Sequence, residues 1–266
     1  MTTTTVILWF KRDLRVADNA ALAEAARADQ VIPLYIAEPG LWAQPDASGR
    51  QWAFVAECLT ELRAALGRLG APLVLRVGDA VGVLDALSAA HGVTRLVSHE
   101  ETGNAWTYAR DRRVAAWAAG HSVEWVELPQ SAVVRRLKGR DGWAARRERL
   151  MQAPVVMPPP ALAPVPGIVP GALPSPRDLG LAPDDCPGRQ RGGRDAGLAL
   201  LDSFLAERGR SYRKDMSTPL AGERACSRLS PHFAWGAVSV REAAQATRRR
   251  AAEAKGGRDG WSESLS

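Results

Sequence analysis

The chain is poor in cysteine: three in 266 residues (Cys58, Cys186 and Cys226), far apart. That usage points to neither a disulfide framework nor a zinc site, and it predicts a reducing, cytoplasmic setting. Long apolar runs are missing as well; none approaches the ~20 residues that a membrane-spanning helix needs. The start, "MTTTTVILWFKRD", has no basic stretch followed by a long apolar one, so it does not read as a secretory signal. Histidine is scarce, and His99, His121 and His232 are isolated in the sequence, which points to no metal site. No glycine-rich phosphate loop follows the first apolar run. "KRDLR" stands there instead, so a nucleotide site of the usual kind is not expected at that place.

What is present is an ordinary globular balance, 46% apolar and 24% charged, with enough length for one substantial core and the start of a second. The net charge of +6 and pI near 9.7 come mostly from arginine. Such a charge suits a polyanionic partner and equally an arginine-rich solvated surface, so charge alone does not choose.

The first 130 residues alternate short apolar runs with amphipathic stretches. Strands are expected at Val6–Phe10, Val31–Ala37, Leu73–Val77, Arg95–His99 and Val123–Val126. Helices are expected between them, the first opening at Asp18 as N-cap and a long one over Gln51–Leu69. Strands joined by helical crossovers form parallel sheets, and fully apolar runs fit strands covered on both faces. The expectation is therefore an α/β, Rossmann-like sheet of five parallel strands over residues 1–130. A connector follows over 131–192, and eleven of the 18 prolines fall between Pro154 and Pro187. Proline fixes φ and lacks an amide donor, so this stretch is read as extended and laid along a surface. From residue 193 a helical domain begins, with Leu198, Leu201, Phe204 and Leu205 on one side of its first helix.

Near the end stands "CSRLSPHFAWGAVSVRE". Pro231 suits a first helical position, which would make Ser230 the N-cap, and a helix N-terminus beside a serine hydroxyl favours an anion such as phosphate. A serine before a helix is more often only a cap, and that reading stays open on the residues alone. "SVRE" (Ser239–Glu242) reads as a capping box that opens another helix.

Ser227, Leu229, Ser230, Pro231, Gly236, Ser239 and Arg241 match a pattern close to TS-x-LSP-x-L-x-x-G-x-x-S-x-R. The segment thereby resembles the one with which DNA photolyases and cryptochromes grip the diphosphate of FAD. Cys226 stands where that family usually has threonine. "ILWFKRDLRVADNAAL" is similar to the family's opening, in the right order and at a family-like distance. The resemblance spans essentially the whole chain: an antenna-type α/β domain, a connector and the first helices of an all-α FAD-binding domain.

The resemblance implies FAD binding by Tyr212, Cys226, Ser227, Arg228, Leu229 and Ser230, the loop from Tyr212 to Ser227 being longer than is usual in the family. It also implies damaged DNA as partner, a monomer, and light-driven electron transfer from reduced FAD to a pyrimidine dimer. A second, light-harvesting pigment is a further implication, its identity open, because Trp106 and Thr107 stand where pterin-binding members have Asn-Glu. Family members are about twice as long, and their later helices surround the flavin ring. The closing "GGRDGWSESLS" looks like the approach to the next such helix. No catalytic residue is assigned, and the expectation is a truncated chain with a partial FAD site, inactive alone. The alternative is a non-enzymatic pigment-binding or photoreceptor module with a vestigial flavin domain.

Overall fold

The apolar runs become strands because each is buried from both sides. A computed structural model describes residues 3–254; the closing "GGRDGWSESLS" lies outside the described residues. The first half runs β1 (Thr5–Phe10), α1 (Ala20–Ala25), β2 (Gln30–Ala37), α2 (Pro39–Trp42), α3 (Gly49–Arg68), β3 (Val74–Val77), α4 (Ala80–His91), β4 (Val93–His99), α5 (Ala105–Gly120) and β5 (Glu124–Leu128). The five strands form one sheet in the order β3-β2-β1-β4-β5, every neighbouring pair parallel. The strand ends fall within two residues of those expected.

β1 is central and wholly buried. Its side chains alternate between the two faces, as the pleat requires. Val6, Leu8 and Phe10 join a core with Leu22 of α1 and Val55, Leu59 and Leu62 of α3. Ile7 and Trp9 join the opposite core, with Leu84 of α4 and Val114 and Trp117 of α5. One local expectation fails. Asn19, not Asp18, caps α1, accepting from the Leu22 amide at 2.8 Å, and Asp18 (φ 50°) is turned to another task described below.

After α6 (Trp143–Gln152) the proline-rich stretch is extended, as expected, but it is bonded to the sheet domain throughout. Its carbonyls accept from the first domain: Ala163 from the Val31 amide (2.8 Å), Pro170 from the Leu75 amide (2.7 Å) and Pro174 from the Trp52 indole (3.1 Å). Leu162 and Leu179 plug into the β1/α3 core. Proline cannot donate, but its carbonyl still accepts, and the geometry uses that half of its chemistry.

The helical part comprises α7 (Arg194–Ala206), α8 (Tyr212–Asp215), α9 (Pro219–Ala225), α10 (Ser230–Ala234) and α11 (Val240–Ala254). α3 caps α7 from outside: Glu61 accepts from the amides of Arg194 (2.6 Å) and Asp195 (3.2 Å), while Glu57 accepts from Gly192 (2.6 Å). Of the leucines on one side of α7, Leu201 is buried against Leu229 and Ala243, and Leu205 packs half-buried on the same cluster. No helix among the described residues is long and apolar enough to cross a membrane.

Candidate functional site

The two motifs that looked separate in sequence meet in space. Asp13 of "KRDLR" is fully buried and accepts from the Lys11 amide (2.9 Å), from His99 Nδ1 (2.7 Å) and from Asn19. Burial alone would raise its pKa. The hydrogen bond and charge of His99 and the Lys11 amide outweigh that and hold it below the ordinary carboxylate value. The loop so fixed grips the segment between α10 and α11. The Leu14 amide donates to the Trp235 carbonyl (3.1 Å), and Arg15 donates to the Gly236 carbonyl (2.9 Å) and the Asp18 carbonyl (2.9 Å). Asp18 accepts from the Ser239 hydroxyl and pairs with Arg241 at 3.3 Å. Trp235 stacks on Trp42 with centroids 5.7 Å apart, and the Arg12 guanidinium lies over the Trp235 ring at 4.6 Å.

Gly236 makes this contact possible. It has φ 65°, and a Cβ there would lie 2.2 Å from the Arg12 carbonyl oxygen. Ser239 and Glu242 form the reciprocal capping pair expected, at 3.2 and 3.5 Å. Gly236, Ser239 and Arg241, read above as part of a phosphate-gripping pattern, are therefore used to lock the helical part onto the sheet domain.

The residues expected to hold FAD lie at the start of that segment. Leu229 is buried and anchors it. Arg208 threads beneath, donating to the carbonyls of Arg224 (3.0 Å), Cys226 (2.6 Å) and Ser227 (3.4 Å). Arg228 is exposed with φ 64°, and its carbonyl accepts from Gln190 (2.6 Å). Ser230 corrects an expectation: it is the first helical residue, preceded by Leu229, and its hydroxyl caps nothing. Pro231 occupies the second position, which tolerates a missing donor as well as the first does. α10 has five residues, so its dipole is short; the positive charge nearby comes from side chains.

A cleft of ≈ 720 Å³ opens beside the segment, walled in part by Arg191, Arg208, Arg224 and Arg228. Tyr212, Ser227 and Ser230 do not line it. Tyr212 instead packs edge-on against Phe204, centroids 5.8 Å apart. Of the residues expected to hold FAD only Arg228 lines the cleft, where it joins Arg191 and Arg224, guanidinium groups of the kind a phosphate takes, together with the carboxylate of Glu223.

A third cluster fills the carboxyl ends of β1, β2 and β4. Arg110 of α5 is buried and donates to Glu38 after β2 (2.5 Å), to Glu101 after β4 and to Asp111 (3.0 Å). Burial pushes the Glu38 carboxyl up to about 7, Arg110 pulling back only part of the shift. Glu101, pulled by Arg110, Lys11 and Arg12 together, is held low despite its own burial.

A family model described as DNA photolyase matches residues 6–139. The chain belongs to the DNA photolyase family. A deoxyribodipyrimidine photo-lyase of Streptomyces griseus is 31% identical over 255 residues, covering 89% of this chain and 53% of that protein. A cryptochrome DASH of Natronomonas pharaonis is 28% identical, covering 89% and 54%. Among solved structures, a class III photolyase from Agrobacterium tumefaciens superposes with a TM-score of 0.76 at 25% identity, covering 93% of this chain and 54% of that one. A photolyase from Sulfolobus tokodaii, described with two FAD molecules, shares the fold with a TM-score of 0.66 at 23% identity. This photolyase-family chain spans about half the length of the curated relatives it matches.

Within this family member, sequence reasoning found the segment but missed what carries it. Arg208 and Gln190 hold its carbonyls from 18 and 38 residues away. The usable signal was compositional: the arginines of "GRQRGGR" and "ERGRSYR" flank α7 on both sides.

Proposed function

We propose that these 266 residues supply the antenna-type α/β domain and the phosphate-side wall of the FAD site of a light-driven DNA photolyase or cryptochrome. The observation that carries this reading is the joining of the two family-like motifs, Arg15 and Asp18 from the first bonding to Gly236 and Ser239 of the second. FAD, when bound, supplies the light absorption and the electron transfer to damaged DNA. The residues here would bind and orient it. Arg228, which lines the cleft, would meet its phosphates, and Ser227 and Ser230 would reach them from the adjoining turn outside the cleft wall. Cys226 and Leu229 would shape that turn, with Tyr212 beside it. A cofactor pocket buries most of its ligand, and one wall does not. The chain by itself is therefore expected neither to retain stoichiometric FAD nor to repair pyrimidine dimers.

The test uses two proteins, residues 1–266 and a version extended downstream in its gene. The extended version should purify with flavin and repair dimers under blue light. Replacing Ser227 and Ser230 by alanine in it should weaken FAD binding by about 1–3 kcal/mol, the scale of lost hydrogen bonds to a charged group. Unchanged flavin retention in the double variant would remove the serines from the site. Stoichiometric FAD with light-dependent repair by residues 1–266 alone would overturn the one-wall reading.

A further inference from the structure

Almost all of the chain's net charge sits in one short stretch. Residues 131–152 hold seven basic and two acidic side chains, a surplus of five against six for the whole chain. The stretch runs from the end of β5 through α6, and every residue from 136 to 147 is exposed. A Cβ added at Gly139 or Gly142 would meet no atom within 4 Å, so this arm stands clear of the body. Like charges crowded in this way repel one another, and a polyanion relieves them.

The arm is fixed at both ends. At its root Arg135 donates to Glu127 (2.9 Å) and to the Glu101 carbonyl (2.8 Å). At the far end α6 lies on α11: Gln245 donates to the carbonyls of Met151 (3.0 Å) and Ala153 (2.8 Å), and Arg248 pairs with Glu148 (2.6 Å). One of the two acids is thus neutralised from outside the stretch, which leaves Asp141. Six exposed cations remain, Arg136, Lys138, Arg140, Arg146, Arg147 and Arg149. None of the six is paired with a carboxylate among the described residues.

Aromatic rings stand among these charges. Trp143 donates its indole N–H to the Ala132 carbonyl (3.0 Å), which fixes the ring. It borders a groove of ≈ 580 Å³ together with Arg147 and the small Ala144 and Ala145. Tyr108 of α5 is 56% exposed, and its hydroxyl accepts from Arg136 (3.4 Å). That bond and charge, with Arg112 nearby, hold the hydroxyl below its ordinary pKa. Unpaired bases stack on such rings while the cations between them take the phosphates. A lipid surface asks instead for an apolar helix face. α6 turns Met151 inward, and Trp143 is its one large exposed apolar residue; Val133 and Leu137 are exposed in the loop before it.

We propose that residues 131–149, with Tyr108, form a binding surface for single-stranded nucleic acid, held by phosphate charge and base stacking rather than by sequence. The surface shares no residue with the cleft walled by Arg191 and Arg228. It does not rest on the flavin reading, because an undamaged strand in the dark needs neither FAD nor a lesion.

The experiment titrates residues 1–266, in the dark, into a labelled, undamaged oligothymidylate of about twelve nucleotides, its oligouridylate counterpart and a duplex of equal length. Fluorescence anisotropy is read from about 50 to 200 mM salt. At least one single strand should bind fivefold or more tighter than the duplex. Its log K should fall against log salt with a slope of about −3 to −4, the value for four to six neutralised phosphates. Arg146→Gln/Arg147→Gln/Arg149→Gln should flatten that slope by about 2. Trp143→Ala should weaken binding roughly five- to hundredfold at unchanged slope, and Trp143→Phe should restore most of it. The substituted positions are exposed, and circular dichroism checks each fold. No binding of either strand, a duplex bound as tightly, or an unchanged slope in the arginine variant would overturn the proposal. So would phosphatidylserine vesicles or polyglutamate bound as tightly as the strands, which would give the surface to a lipid or an acidic protein. The wild-type slope and the duplex comparison decide even if a variant fails to fold.

Discussion

Replacing Gly236 by alanine should pull the two halves of the molecule apart. The perturbation has two parts. Gly236 has φ 65°, where an alanine costs about 1 kcal/mol relative to glycine. The larger part is contact: the new Cβ would lie 2.2 Å from the Arg12 carbonyl oxygen and 2.6 Å from the Asp13 Cα, both backbone atoms that no rotamer change can move. The α10–α11 segment must therefore back away from the β1 loop. Backing away loses the Arg15 bond to the Gly236 carbonyl, roughly 1.5–3 kcal/mol for a charged donor, and the Leu14 bond to the Trp235 carbonyl, about 0.5–1.5 kcal/mol. Together these come to roughly 3–6 kcal/mol, or a fall in Tm on the order of 10 °C for a chain of this size. Thermal and urea unfolding of Gly236→Ala against wild type measures it. Gly236→Asn separates the parts, since asparagine tolerates a left-handed φ but carries the same Cβ. It should recover no more than about 1 kcal/mol. A Gly236→Asn protein as stable as wild type would refute the contact argument and leave only backbone strain.

Other changes should move stability in either direction. Gly82 lies in α4 with nothing within 4 Å of its would-be Cβ, so Gly82→Ala should stabilise by roughly 0.5–1 kcal/mol, read by urea midpoint. Glu38 has a folded-state pKa raised by burial to about 7, so its contribution is fully present below about 4.5 and lost as pH rises through about 7. Glu38→Gln should remove that decline from a plot of unfolding free energy against pH; an unchanged slope would contradict the burial argument. His232 is buried against Phe54 and Gly197, and burial lowers its pKa, so its contribution is present above about 6.5 and lost as pH falls below it. His232→Leu should flatten the acid side of the same plot, a slope opposite in sign to that of Glu38.

The sheet was legible because a buried parallel strand writes itself locally. "VILWF" is apolar on both faces of the pleat, and the intervening stretches repeat at helical spacing, so both strand and crossover appear within a short window. The motif at Ser227–Glu242 was legible as a pattern, but its division of labour was not. Nothing in the spacing of Gly236, Ser239 and Arg241 says that they turn toward residues 12–18 rather than toward a ligand. The Ser230 cap failed for a local reason: proline is acceptable at the second helical position as well as the first, so Pro231 did not fix where α10 starts. The Arg110 clamp was illegible because its carboxylates come from turns after different strands, Glu38 and Glu101, that approach only once the sheet order is known. The capping of α7 by Glu57 and Glu61 has the same cause, a helix end completed by acids more than 130 residues earlier.

The proline-rich strap has a consequence for how the chain reaches its fold. β3 is an outer strand of the sheet, and the Leu75 amide on its free edge is taken by Pro170, while Leu162 and Leu179 fill the adjacent core. An open strand edge invites pairing with another chain, and proline is a residue that ends such pairing. As the chain emerges during synthesis, the sheet can assemble by about residue 130, yet its edge stays bare until some forty more residues have appeared. The compositional boundary is thus not a folding boundary. Cutting after the last strand would yield a sheet with an unguarded edge and holes in its core, a species prone to self-association.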